Sequence, residues 1–243
     1  MDKQGNTKEF QTWASSCQSL SAFGVIDAVL KRFSAGRVAF ASSLGAEDQV
    51  ITHLLQPYYA RVSVFTIDTG RLPQETYDLI QRTSEAYGLR YEVLLPDQSE
   101  LVPLMAEHGM DLFRKSVELR KACCHARKVA PLKKKLATLN GWICGLRRSQ
   151  AITRTEVQAV EWDEHNALVK VNPLVDWSEA DIWAYIKKNN VPYNALHDKG
   201  YPSIGCSPCA RAVKPGEDVR AGRWWWESPE HKECGLHGRA KKG

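Results

Sequence analysis

Cys123 and Cys124 are adjacent, and Cys206-Ser207-Pro208-Cys209 repeats the thiol pair at a short interval. Two pairs of thiolates form a soft donor set that suits zinc or an iron–sulfur cluster, and ligand type alone does not decide between them. A further cysteine, Cys234, stands in the polar sequence ECGLH, with Lys232 and His237 close by and Arg220 and Arg223 upstream. Cationic neighbours lower a thiol's pKa and make thiolate available near neutral pH, the condition for a nucleophile. Cys17, and Cys144 inside the apolar run GWICGL, read as core or inert thiols. The cysteine total of seven is odd. The opening sequence MDKQGNTKEFQTW has no apolar core of a secretory signal. Both observations favour metal or thiol chemistry over a disulfide framework and lead us to expect a cytoplasmic protein.

Three short loops offer anion contacts. Ser42-Ser43-Leu44-Gly45-Ala46-Glu47-Asp48 is a small-residue turn entering a helix, where backbone N–H groups and the helix dipole can hold a phosphate or sulfate oxygen. Asp68-Thr69-Gly70-Arg71 and Gly145-Leu146-Arg147-Arg148 are the other two, the last bringing paired arginines. Between Arg114 and Lys135 basic residues crowd the chain against one acid, Glu118, and bracket the vicinal cysteines. Such a stretch reads either as a solvated helix face or as the lining of an anion site. The whole chain has 33 Lys and Arg, 28 Asp and Glu and a net charge of +5, which suits an anionic small molecule and argues only weakly for nucleic acid.

The elements that must position these residues follow from the apolar pattern. Length and composition suit one soluble domain with a sizeable core, and no run is long enough to cross a membrane. The first 33 residues read as helix, with helices also over 47–56, 73–87 (a proline in its first turn), 121–139 around Pro131, and 179–189 capped by Ser178. Buried strands are expected at 37–43, 61–67, 90–95 and 141–146. Strand–helix–strand alternation at this spacing implies parallel strands with crossover helices, with ligands at the strands' C-terminal ends. Beyond residue 172 the pattern changes, and Gly, Pro, Cys and Trp dominate. His53, His108 and His165 read as surface residues and Trp162, Trp177 and Trp183 as core. Trp224-Trp225-Trp226 reads as tail packing, adenine stacking or a protein contact.

Taken in order, SSLGAED, IDTGRLP, CCHARK, GLRRSQAITR, CSPCAR, EDVRAGRWWWE and ECGLH resemble the assimilatory adenosine 5′-phosphosulfate (APS) reductases, grouped with the phosphoadenosine phosphosulfate (PAPS) reductases. The resemblance runs from about Phe40 to His237. It implies an α/β, Rossmann-like adenine nucleotide α-hydrolase fold, a parallel sheet flanked by helices. Residues 1–210 would form the catalytic domain, and residues 211–243 a mobile segment carrying the catalytic cysteine. It further implies a [4Fe–4S] cluster on Cys123, Cys124, Cys206 and Cys209, a feature that relatives using the 3′-phosphorylated substrate typically lack. Ser42, Ser43 and Gly45 would form the first substrate loop, with Asp68, Thr69 and Gly70 near the nucleotide. Lys128, Arg147, Arg220, Arg223 and His237 would surround the phosphosulfate, and Cys234 would be the nucleophile.

The implied reaction is attack of the Cys234 thiolate on the sulfate sulfur, leaving S-sulfocysteine and AMP, then release of sulfite by reduced thioredoxin or glutaredoxin. The cations would offset the repulsion between thiolate and dianion. The expected partners are APS, with PAPS as a second accepted substrate, a thiol-reductant protein and further copies of the chain, with no nucleic acid and no membrane. Two other readings compete. A tRNA-thiolating enzyme shares the fold, but ATP-using relatives carry Ser-Gly-Gly-x-Asp-Ser where Ser43-Leu44-Gly45-Ala46-Glu47-Asp48 stands here. A non-enzymatic metal-binding protein would leave Cys234 incidental.

Overall fold

The computed structural model describes residues 7–150 and 156–228. Six strands form one sheet in the order β3-β2-β1-β4-β6-β5. They are β1 (Val38–Ala41), β2 (Ser63–Ile67), β3 (Glu92–Leu94), β4 (Gly141–Ile143), β5 (Val160–Asp163) and β6 (Leu168–Val171). Every pairing is parallel except that of β5 with β6, an antiparallel hairpin at one edge. Four strands thus lie where apolar periodicity places them. The β5–β6 hairpin is a further pair that the periodicity reading leaves out, because polar and charged residues alternate with apolar ones in it.

Side chains alternate across the sheet, so both faces are covered. Val38, Phe40, Val64, Ile143, Val169 and Val171 pack into one cluster with α1 (Lys8–Cys17), α2 (Ala22–Arg32), α3 (Ala46–Leu54) and α8 (Glu179–Asn189). Ala39, Phe65, Trp142 and Leu168 point the other way, onto Leu132 and Leu136 of α7 (Ala130–Leu136). The remaining helices are α4 (Gln74–Tyr87), α5 (Gln98–His108) and α6 (Val117–Cys124).

Local chemistry sets several boundaries. The N-terminal helix is two helices: Ser21 accepts a hydrogen bond from Gly24 N and caps a fresh start. Pro73 is the cap residue of α4 and not part of its first turn, and Gly88 ends that helix in the left-handed region. The helix expected over 121–139 is α6 and α7 joined by a π-helical turn, His125–Val129. Ser178 caps α8 in a full capping box with Asp181. Of the three histidines read as surface residues, His165 is exposed and His53 and His108 are half-buried; His53 Nδ1 lies 2.8 Å from the Tyr185 hydroxyl. Cys17 and Cys144 are buried as expected, and Trp162, Trp177 and Trp183 pack against the core.

Candidate functional site

The C-terminal ends of β1, β2 and β4 open onto a cavity of about 450 Å³. Its apolar wall includes Phe65, Ile67, Leu132 and Trp142, and its polar wall Ser42, Ser43, Gly45, Lys128, Arg147 and Arg220. Six residues from the expected substrate set therefore face one space of small-molecule size.

The first loop is held by an acid. Asp48 accepts hydrogen bonds from Ser43 N at 2.6 Å and Ser43 Oγ at 2.7 Å, and Ser42 Oγ accepts from Leu44 N. Leu44 is buried with φ of +61°, a left-handed conformation that costs an L-residue about 1–2 kcal/mol. Burial pushes the Asp48 carboxyl up to about 6, against the hydrogen bonds from Ser43. Gly145 also donates to Asp48, and a Cβ at Gly145 would overlap that carboxylate. Asp48 thereby ties the first loop to the arginine loop.

Arg147 is itself held. Its guanidinium pairs with Glu47 at 2.8 Å and donates to Ser149 Oγ and the Trp177 carbonyl, while Gln150 donates to the same Glu47 carboxylate. Arg148 turns away, to Asp176 and the Val157 carbonyl. Glu47 and Asp48 stand inside the quoted SSLGAED motif, yet nothing in the residue pattern alone reveals that they hold Ser43 and Arg147.

The Asp68-Thr69-Gly70 loop does not line this cavity. Asp68 accepts from Gly70 N and from the Tyr77 hydroxyl, and Thr69 Oγ1 lies 3.3 Å from Cys206 Sγ. The Thr69 carbonyl accepts from Arg127 at 2.6 Å. This loop joins β2 to the cysteines.

Cys123 and Cys209 are buried in one cluster with Leu112, Phe113 and Trp224, and Cys124 and Cys206 pack against it. All four are free thiols. Burial pushes Cys209 up to about 12, with Cys206, Cys124 and Cys123 adding to the effect. Burial also raises Cys123, opposed by Arg127. At Cys206 burial acts upward too, but Lys128, Thr69, Arg223 and Arg127 outweigh it and hold the thiol below its ordinary value. The π-helical turn carries Arg127 and Lys128, so that Arg127 is buried toward the cysteines while Lys128 reaches the cavity. Among the described residues, no group of three or more His, Cys, Asp or Glu is placed to hold a metal ion.

Arg223 is buried, its guanidinium over the Trp224 ring at 4.8 Å, and a Cβ at Gly205 on the cavity wall would overlap it. Trp224 packs against the cysteines, and Trp225 is partly exposed. Arg120 is fully buried and paired with Glu227 at 2.7 Å, so part of the basic stretch is interior and not a solvated face. No local pattern announces that pair, because its partners are far apart in the chain. Cys234 and His237 lie outside the described residues.

A mostly parallel open sheet flanked by helices, with a cavity at its switch point, has the architecture of the adenine nucleotide α-hydrolase class of fold. The similarity of known proteins is narrower than that class. Residues 37–212 match the phosphoadenosine phosphosulfate reductase domain. The adenosine 5′-phosphosulfate reductase of Allochromatium vinosum is 52% identical over 202 residues, 83% of this chain and 79% of that protein. A crystal structure of PAPS reductase from Candida auris, a phosphate complex, superposes with a TM-score of 0.72 at 27% identity, covering 85% of this chain and 98% of the other. FMN adenylyltransferase from Candida glabrata, at 15% identity and a TM-score of 0.54, covers 95% and 82% respectively and shares the fold alone. The chain belongs to the phosphoadenosine phosphosulfate reductase family of oxidoreductases.

Proposed function

We propose that this enzyme reduces APS to sulfite and AMP with electrons from reduced thioredoxin or a glutaredoxin, serving sulfate assimilation and cysteine biosynthesis. The observation that carries the reading is the position of Lys128. It lines the cavity and also acts on the Cys206 thiol, so the anion site and the cysteine site adjoin.

In this reading the cavity holds the nucleotide, with Ser42, Ser43 and Gly45 at the phosphate and Lys128, Arg147, Arg220, Arg223 and His237 around the phosphosulfate. Asp68, Thr69 and Gly70 act from the neighbouring loop that braces the cysteines. Cys234 thiolate attacks the sulfate sulfur. The bond from that sulfur to the phosphate oxygen breaks, AMP leaves, and Cys234 carries –SO₃⁻. A reductant thiolate then attacks Cys234 Sγ, sulfite leaves with the bonding pair, and a mixed disulfide remains. The reductant's second thiol resolves that disulfide, restoring the Cys234 thiolate and leaving the reductant oxidised by two electrons. The division at residue 210, with the nucleophile in the C-terminal segment, is part of this proposal, as are a cytoplasmic location and a homo-oligomeric state. Among the described residues no helix is long and apolar enough to cross a membrane.

The donor chemistry of the cysteine set suits a [4Fe–4S] cluster, although among the described residues the thiols are not drawn together as a ready-made metal site. Four thiols lie in one apolar cluster, and Arg120, Arg127, Lys128 and Arg223 act on them to offset thiolate charge. Cys123, Cys124, Cys206 and Cys209 would hold the cluster. Bound there, it would supply compact negative charge near Lys128, which acts on the Cys206 thiol. Both electrons of the reaction come from the reductant.

The test is steady-state turnover of the anaerobically purified enzyme with reduced thioredoxin. The reading requires sulfite and AMP in equal amounts from APS. ATP hydrolysis without sulfite would overturn it. PAPS in a parallel assay measures whether the 3′-phosphorylated substrate is also accepted.

A further inference from the structure

The Arg120 side chain has no exposed surface and that of Glu227 is 4% exposed. Arg120 Nε and Nη2 donate to the two carboxylate oxygens of Glu227 at 3.0 and 2.7 Å, a two-pronged, charge-assisted contact. The same guanidinium lies 4.6 Å from the Trp224 ring and hydrogen-bonds Cys124. Upstream, residues 211–227 form a strap laid down by backbone bonds: Arg211 N to the Gly222 carbonyl, a bridge between Ala210 and Arg223, Trp224 N to the Cys209 carbonyl, and Glu227 N to the Trp224 carbonyl. Trp224 takes φ of +40°, strained for a tryptophan, and its ring is wedged among Leu112, Phe113 and the cysteines. A strained backbone of this kind persists only where its surroundings hold it.

We propose that Arg120 and Glu227 form a buried anchor that fixes the point from which the chain departs toward Cys234, which makes Glu227 a positioning residue for sulfur transfer. The proposal rests on the reading of Cys234 as the nucleophile. Six residues, 228–233, lie between Glu227 and that thiol in the sequence, so the thiol can reach at most about 25 Å from the anchor. The local concentration of a tethered group falls roughly as the −3/2 power of tether length. Losing the anchor back to the Ala210–Arg223 bridge lengthens the tether enough to lower that concentration about twofold. Losing the whole strap from Arg211 lowers it about sixfold.

The test compares Glu227→Gln and Glu227→Ala with the wild-type holoenzyme in three measurements. Amide exchange at Trp224 and Glu227 should accelerate at least tenfold while β1 and β4 keep their protection. The single-turnover rate of Cys234 modification by APS should fall about two- to sixfold, and AMP affinity should stay within about twofold. If the substitutions also unprotect β1 and β4, a four-residue Gly/Ser insertion between Ser228 and Pro229 replaces them, leaving the anchor intact; it should slow modification about twofold. Unchanged exchange in the substituted chains, an insertion that reacts at the wild-type rate, or a loss of AMP affinity equal to the loss of rate would overturn the anchor. Absence of any wild-type adduct would instead refute the nucleophile, and the exchange data would still judge the anchor.

Discussion

Asp48 and Ser43 close the first loop on themselves: one carboxylate oxygen accepts both the Ser43 amide and its hydroxyl, at 2.6 and 2.7 Å. The carboxyl is buried, and burial raises its pKa to about 6. Between about pH 4 and pH 6 the folded chain therefore keeps a proton that the unfolded chain has released. Stability contributed this way is present at low pH and is lost as pH rises through about 6. Relative to Asp48→Asn, the wild type should lose roughly 2–3 kcal/mol between about pH 4 and pH 7.5. Urea unfolding at several pH values measures the difference, and a constant gap between the two proteins would contradict it.

Leu44 sets two effects against each other. Glycine there would relieve about 1–2 kcal/mol of left-handed strain but would remove a fully buried leucine side chain, worth about 3–5 kcal/mol in a core. The loss of burial wins. Leu44→Gly should be destabilised by about 1–4 kcal/mol and bind AMP more weakly, as measured by thermal unfolding and equilibrium titration. A stabilised variant would show that strain and not packing governs the loop.

Much of this arrangement was legible in the residues, and the rest was hidden for physical reasons. Four strands follow from continuous apolar runs, and α8 from the Ser178 cap, because those signals are local. The β5–β6 hairpin escapes because Glu161 and Lys170 sit in it and pair with each other, so its strands do not read as apolar. Arg120 and Arg127 look like solvated charge until Glu227 and Thr69, distant in sequence, are found to cover them. The motif loops are visible as motifs, but only the fold separates the Ser42–Ser43 loop, which faces the cavity, from the Asp68–Thr69 loop, which faces the cysteines.

Lys128 joins those two sites, and its loss should be felt in both. A charge-assisted hydrogen bond contributes about 1.5–3 kcal/mol, so Lys128→Ala should reduce kcat/KM for APS roughly 10- to 100-fold. Lys128→Arg, which keeps the charge, should recover part of that loss. Equal activity of Lys128→Ala and wild type would separate the cavity from the chemistry.

The cysteines divide by position. Serine at Cys123, Cys124, Cys206 or Cys209 should each abolish bound iron and acid-labile sulfide. Cys17→Ser and Cys144→Ser should keep wild-type iron. Cys144 lines the cavity, but burial holds its thiol up at about 12, and it donates to Asn172. Iron retained in all four serine variants would remove the proposed ligand set.

The central claim is that Cys234 takes the sulfonate from the nucleotide before any reductant acts. Intact-protein mass spectrometry with peptide mapping tests it, on iron-loaded enzyme incubated anaerobically with APS and no thiol. The account predicts one added SO₃ group on Cys234, lost when reduced thioredoxin is supplied, and no addition in Cys234→Ser. An iron-loaded enzyme that binds AMP yet gains no mass, or gains it on another residue, would contradict the account.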